Sequence, residues 1–329
     1  MNTRLLVIAG LFVAISTGDT IASPEAMLTL RLVDDEGLPL TNMTARIGFF
    51  EGKQNVGTTD TNGMFSSRGR AISGQATFSV NEDGFYYCHG VYRFPKAGQP
   101  WRDFVKDDKW LPWDPVVTMV VKKIVDPIPM YAKRVETTIP ATNTTFGYDL
   151  MVGDWVKPTG KGMVNDLVFR LNGYWMDYRN NDSTLFMTFS NPSDGLIPVE
   201  YELLYGRPVG SALFMPRHAP EQGYISEYRW RKARNQAAGD AQDESVNDLK
   251  EGRGYIFRVR SVTNDEGEVT NAFYGKISEE INYGGAGING GCLVFTYYLN
   301  PTPNDRNMEF DPKRNLFTDL KVGEQVREP

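Results

Sequence analysis

The stretch LTLRLVDDEGLPLTNMTARIGFF (residues 28–50), followed by GTTDTNGMF (57–65) and ATFSVNEDGFYY (76–87), decides the fold class. Leu28, Leu30 and Leu32 alternate with Thr29, Arg31 and Val33, the period-two pattern of a half-buried strand. Asp34-Asp35-Glu36-Gly37 stops that strand, because acidic side chains supply turn hydrogen bonds and glycine accepts a positive φ. Apolar runs at 45–50 and 76–80 are separated by Thr59-Asp60-Thr61-Asn62-Gly63, and the second ends at Asn81-Glu82-Asp83-Gly84. Short strands divided by Asp/Asn-Gly turns predict an antiparallel sandwich.

In front of this stretch, Met1-Asn2-Thr3-Arg4 and the apolar run LLVIAGLFVAI read as the charged and hydrophobic parts of a signal peptide over residues 1–22, with small residues near Ala22 for cleavage. The run is shorter than the ~20 apolar residues a membrane helix needs, and no other segment approaches that length. The expectation is an exported chain, periplasmic, cell-surface or secreted, with no transmembrane span.

The formal charge of the 329 residues is −6, and loss of the leader removes one Arg and one Asp, leaving it unchanged. An acidic chain without a long basic block argues against a nucleic-acid partner. Cys88 and Cys292 are the two cysteines. An oxidising compartment would permit them to pair, but burial as two separate thiols is the simpler expectation.

Three motifs in the opening stretch also carry a family resemblance. D-x-x-G-x-P-L at Asp34–Leu40, T-D-x-N-G-x-F at Thr59–Phe65 and the aromatic DGFYY at Asp83–Tyr87 resemble the carboxypeptidase-regulatory-like domain of bacterial exported proteins. The resemblance covers residues 27–121. It implies a small seven-stranded transthyretin-like or Ig-like β-sandwich that acts as spacer or dock, with no catalytic residue to carry over. An insertion-like stretch, Lys96 to Asp114, interrupts the pattern before a last strand at 116–122.

Downstream, Pro127 and Pro129 stiffen a connector, placed at 122–138. An antiparallel β domain follows at 139–300, of sandwich or jelly-roll type. Its clearest hairpin is Tyr255–Val262 with Val269–Ile277 around Asn264-Asp265-Glu266-Gly267, and Cys292–Leu299 reads as its last strand. Tyr224, Tyr228 and Trp230 share one parity of a strand at 224–231. Residues 235–250 read as a polar loop with at most one helical turn, and 301–329 as a surface loop or tail. The fold expectation is therefore all-β throughout.

Motifs for chemistry are weak. Gly285-Ala286-Gly287-Ile288-Asn289-Gly290 matches G-x-G-x-x-G, but a β-type run follows where a dinucleotide site needs a helix. His89 and His218 lack metal or catalytic spacing. Asp60 and Asn62, like Asp265 and Glu266, fit turn chemistry better than a calcium loop. Glu200 and Glu202 fall on one face of a strand at glycosidase-like separation. The expectation is no catalytic residue, no metal and no cofactor.

The aromatic set is the strongest candidate: Tyr174, Trp175 and Tyr178, then Tyr228 and Trp230, with Arg229 and Arg231 beside them. Flat rings with polar tips stack on sugars or anchor protein partners, and the alternative role is to fill the second core. The chain is thus expected to be a non-catalytic binding or structural protein whose partner is a protein or glycan at the cell envelope. The competing expectation is a carbohydrate-binding module or carbohydrate-active enzyme on the second domain.

Overall fold

A computed structural model describes residues 23–49, 54–204, 206–235, 244–287 and 290–329, so the signal peptide expected at 1–22 lies outside the described residues. The chain is all-β, with three short 3-10 turns and no α-helix among those residues. The expected fold class holds.

The first unit is a two-sheet sandwich. One sheet places Glu25–Val33 between Met64–Arg70 and two segments that run parallel to it, Lys109–Trp110 and Val116–Val120. The other runs Cys88–Arg93, Gln75–Val80, Thr44–Phe49, Asn55–Thr58. Leu28, Leu30, Leu32, Ile47, Phe78 and Val80 meet in the core between the sheets, the face that the period-two pattern selects.

The turns work as read. Asp60 Oδ1 accepts from Asn62 N and Met64 N, both at 2.8 Å. Gly63 has φ +73°, and a Cβ there would lie 2.5 Å from Leu32 O, so glycine is required. The insertion-like stretch runs mostly over the surface but is anchored at one residue. Its Trp110 is buried in the core and donates through Nε1 to Ala71 O at 2.7 Å.

The second unit is a larger sandwich. Its first sheet contains Tyr131–Ile139, Gly290–Leu299, Val269–Ile277, Arg253–Thr263 and Gly195–Glu200, with Asn282–Gly287 also paired to Gly290–Leu299. Facing it is a sheet of Asp154–Trp155, Thr145–Asp149, Leu167–Trp175, Asn180–Thr188, Glu227–Asn235 and Glu244–Asn247. The Arg253–Thr263 and Val269–Ile277 hairpin matches the expected one almost residue for residue. Two readings need correction. The sheet begins at Tyr131, within the expected connector, and Glu244–Asn247 is an edge strand rather than part of a loop or helical turn.

The C-terminal segment departs furthest from expectation. Met308 and Phe310 are fully buried, packed on the outer face of the first sheet of the second sandwich. Apolar side chains on both faces of that sheet explain why Tyr255, Ile256 and Phe257 are buried in succession. Between Met308 and Phe310 lies Glu309, also fully buried. Its carboxylate accepts from Tyr86 OH (2.7 Å), Val125 N (2.9 Å) and Asp126 N (3.0 Å), and pairs with Arg217. Burial pushes the Glu309 carboxyl up, but Arg217, the two amides and Tyr86 outweigh it and hold it below the ordinary range. A second strand contact joins the units where Gly210–Ser211 pairs with Cys88 and His89 at the edge of the first sandwich.

Two stability predictions follow from this packing. Glu309→Ala takes from Arg217, Tyr86 and the Val125 and Asp126 amides their buried acceptor, leaving Arg217 only Asp35 at 3.5 Å as an acidic partner. It should lower the urea-unfolding free energy by about 3–5 kcal/mol; a loss below about 1 kcal/mol would contradict the assigned network. Lys276 is buried, donates to Met308 O at 2.9 Å, and is driven by burial down to about 7. Its folded value lies below its unfolded value, so the unfolded chain binds the extra proton between about pH 7 and the ordinary lysine range near 10.4. Stability from this group should rise with pH across that window, and Lys276→Met should flatten the rise in a pH series of melts.

Candidate functional site

Leu167–Trp175 and Asn180–Thr188 form a hairpin in register Tyr174 to Asp182 and Trp175 to Asn181. Its turn is fixed by Asp177 Oδ1, which accepts from Arg179 N at 2.7 Å and Asn180 N at 2.9 Å. Trp175 shares its parity with Phe169 and Leu171, which are buried in the core. The covering strand reaches this face at Ser183, whose carbonyl accepts from Tyr283 OH at 3.0 Å. Ser183 stands opposite Gly173, one inward-facing position before Trp175. The inward face therefore runs past the core into solvent. At Gly173, φ is +126° and a Cβ would lie 2.1 Å from Asp182 O, so only glycine allows the strands this approach.

The result is a tip with apolar side chains on both faces. Tyr174 is 48% exposed, Trp175 49%, Met176 72% and Tyr178 58%. Tyr174 OH donates to Asn180 Oδ1 at 3.1 Å, which orients its ring. The Arg179 guanidinium sits 5.0 Å from the Tyr178 ring centroid, and that of Arg234 sits 6.0 Å from it. Cation–π contacts of this kind hold a ring in place.

The other half of the aromatic set is elsewhere. Trp230 is fully buried, donating from Nε1 to Glu280 Oε1 at 3.0 Å and Tyr255 OH at 3.1 Å. Tyr228 packs against it at 4.8 Å and against Tyr255 at 5.4 Å. The shared parity holds for Tyr228 and Trp230 but faces the core, so Trp230 is removed from any exposed surface, while Tyr224 lies ahead of the strand and packs in a separate cluster with Tyr274. Arg231 gives both Nε and Nη2 to Asp182, at 3.1 and 2.7 Å, and its charge is matched there. Arg229 is exposed opposite Phe186, five residues down the strand from Arg234. The sequence reading thus found Tyr174, Trp175 and Tyr178 but missed Met176 and Arg179. The signal was the alternation running on through Asn172–Trp175, hidden because the residues around it are polar.

A cleft of about 630 Å³ lies on the outer side of the second sandwich, between Tyr201, Arg134, Lys232, Lys250, Glu279 and Glu280. Of its four acids, Glu251, Glu279, Glu280 and Glu328, the middle two are engaged. Glu279 pairs with Arg134 at 2.9 Å and accepts from Thr296 Oγ1 at 2.8 Å. Glu280 accepts from Trp230, the Tyr255 hydroxyl and Lys250 N, and pairs with Arg253 at 3.4 Å. Carboxylates held this way organise a wall. The Glu200 and Glu202 pair also loses its basis, because the strand ends at Glu200, whose carboxylate meets Lys250 at 3.2 Å.

A second acidic pair, Asp149 and Asp166, is buried around Arg260, which reaches them at 3.0 and 2.7 Å. Burial pushes both carboxyls up. It prevails at Asp166, whereas the amides of Met163, Val164 and Val152 with Arg260 carry Asp149 below its usual value. The pair is shielded and locks the bulge at Arg260, where φ is +55°.

The remaining motifs resolve as structure. The glycine run spans two paired strands, Asn282–Gly287 and Gly290–Leu299, with residues 288 and 289 outside the described set. The Asn264 side chain caps its turn by accepting from Glu266 N and Glu268 N. His89 stacks on Tyr87, and His218 bridges to Asn307. Both cysteines are free. Cys88 is buried as expected, but Cys292 is exposed, because it faces outward from its strand.

No family model matches the chain, and no curated protein matches it. Among solved structures it is similar to a DUF3823 family protein from Parabacteroides merdae, at 9% identity over 84% of this chain and 100% of that one, with a TM-score of 0.21. It is also similar to a streptococcal ancillary pilin, at 12% identity over 71% and 60% of the two chains, TM-score 0.21. The major pilin subunit BcpA of Bacillus cereus aligns at 11% identity over 82% and 95%, TM-score 0.22. Superpositions this loose carry no functional argument.

The contrast between the two tryptophans is testable. Trp230→Ala should cost about 3–5 kcal/mol of stability in a urea titration, as for a large core ring. Trp175→Ala should change it by less than about 0.5 kcal/mol. Equal losses would mean the tip is packed.

Proposed function

We propose that the chain is an exported, non-catalytic binding or structural protein. Residues 27–121 act as spacer or dock, and the second sandwich, 139–300, presents the interaction surface. The observation that carries this reading is the hairpin tip: Tyr174, Trp175, Met176 and Tyr178 stand in solvent with Arg179 and Arg234 beside them. A soluble chain gains nothing by exposing four such side chains together, whereas a partner surface gains aromatic anchors whose ordering cost is low. Asp177 and Gly173 fix the turn, so the rings are held ready before contact. The partner is a protein or glycan of the cell envelope.

Carbohydrate binding by the second unit is the second reading, favoured by half-exposed rings flanked by guanidinium groups, which suit the face and hydroxyls of a sugar. The competing carbohydrate-active enzyme has less support, since Glu279 and Glu280 in the cleft already hold partners.

The test is retention on an envelope fraction and on a glycan array by the wild-type chain and by Trp175→Ala/Tyr178→Ala. The double variant should bind at least about tenfold more weakly, with unchanged circular dichroism. Undiminished retention would overturn the assignment of the tip. A signal on the array would decide for sugar.

A further inference from the structure

Along one side of the first sandwich its sheets end in Cys88–Arg93 and Val116–Val120, strands that belong to different sheets. Gly210–Ser211 of the second unit pairs with Cys88 and His89 and also lies against Val116–Val120. That pairing is two residues long, so it closes only part of the opening. Beside it lies a cleft of about 400 Å³. Phe78 and Met119, from the core between the sheets, line one side, and Leu204, Val209 and Phe214 of the second unit line the other. A largely apolar cleft of this size at the junction of two units is a common setting for a small ligand.

Two polar groups on the cleft lack the partner their chemistry calls for. Lys122 is half-buried, and its ammonium, which has three N–H groups, gives one to a neutral carbonyl, Met215 O, at 3.2 Å. Asp35, the acid that acts on it, pairs instead with Arg217 at 3.5 Å. Ser211 is 6% exposed, and its Oγ meets no hydrogen-bond partner. The Cys88 sulfur, which adjoins both Ser211 and Lys122, already donates to Tyr86 O at 3.3 Å. An ammonium without an acid and a hydroxyl without an acceptor, set around one sulfur, form a receptor for a single anionic group. Glu202 is the acid on the lining, and it is exposed, so water screens it. At the ~30 Å³ that a water takes in the liquid, the cleft has room for about a dozen heavy atoms.

We propose that this cleft binds an apolar monocarboxylate of about a dozen heavy atoms, the size of a medium-chain fatty acid, with its carboxylate on Lys122 Nζ and Ser211 Oγ. Its body lies between Met119 on one side and Phe214 on the other, so the ligand touches both units. The site shares no residue with the hairpin tip.

Equilibrium dialysis of the purified full chain tests it, with decanoate and with decylammonium, which has the same body and the opposite charge. Decanoate should bind one to one with a Kd below about 0.1 mM, and decylammonium at least about tenfold more weakly. Lys122→Met keeps an unbranched stem without the charge and should weaken decanoate binding at least about tenfold. Leu204→Trp fills the cleft from the side of the second unit and should abolish it. Both residues are half-buried, so folding should survive, as circular dichroism would register. Absence of decanoate binding by the wild type up to about 1 mM would overturn the proposal. So would equal affinity for the two probes, or an undiminished Kd in either folded variant, which would place the binding elsewhere.

Discussion

The buried carboxylate of Glu309 is the contact on which the arrangement of the two sandwiches depends. It gathers Tyr86 from the first unit, the Val125 and Asp126 amides from the connector, and Arg217 from a loop of the second. Each donor satisfies a lone pair of a charge that would otherwise be expensive to bury. Arg217 also reaches Asp35, in the first turn of the chain, at 3.5 Å. A segment near the C terminus thus ties a turn near the start to a loop past the middle. Pairing of Gly210–Ser211 onto the first sandwich repeats the linkage by main-chain bonds.

Much of this architecture was legible in local pattern. The Glu25–Val33 and Arg253–Thr263 strands follow from alternation and from Asp- or Asn-led turns ending in glycine, because those signals are written in neighbouring residues. The C-terminal segment was misread because its polar composition is real: Asn307 and Glu309 are there, but their partners lie far off in sequence. Proline-bracketed chain with scattered apolar residues looks like a tail until Met308 and Phe310 find a sheet face to cover. The parallel placement of Val116–Val120 was equally hidden, since nothing in a strand's own residues states the direction of its neighbour.

The candidate site was half legible for a related reason. Parity assigned Tyr228 and Trp230 to one face but could not say that the face is covered. Parity also gives Trp175 an inward direction, yet Trp175 is exposed, because its strand outruns the sheet that covers it. What distinguishes the two tryptophans is length: one sits mid-strand above Tyr255, the other beyond the reach of Tyr283. An interaction surface made by overhang needs no special sequence motif, only a hairpin longer than its neighbour and a turn stiff enough to hold it out.

The central claim is that Glu309 holds the connector as firmly as a core strand and so makes one body of the two sandwiches. Amide hydrogen exchange at Val125 and Asp126 in the wild-type chain tests it most directly. Exchange as slow as that of the core strand amides of Phe257 and Val259 is the expected result. Exchange at the rate of an unstructured peptide would contradict it, and would mean that the two sandwiches move on a free linker.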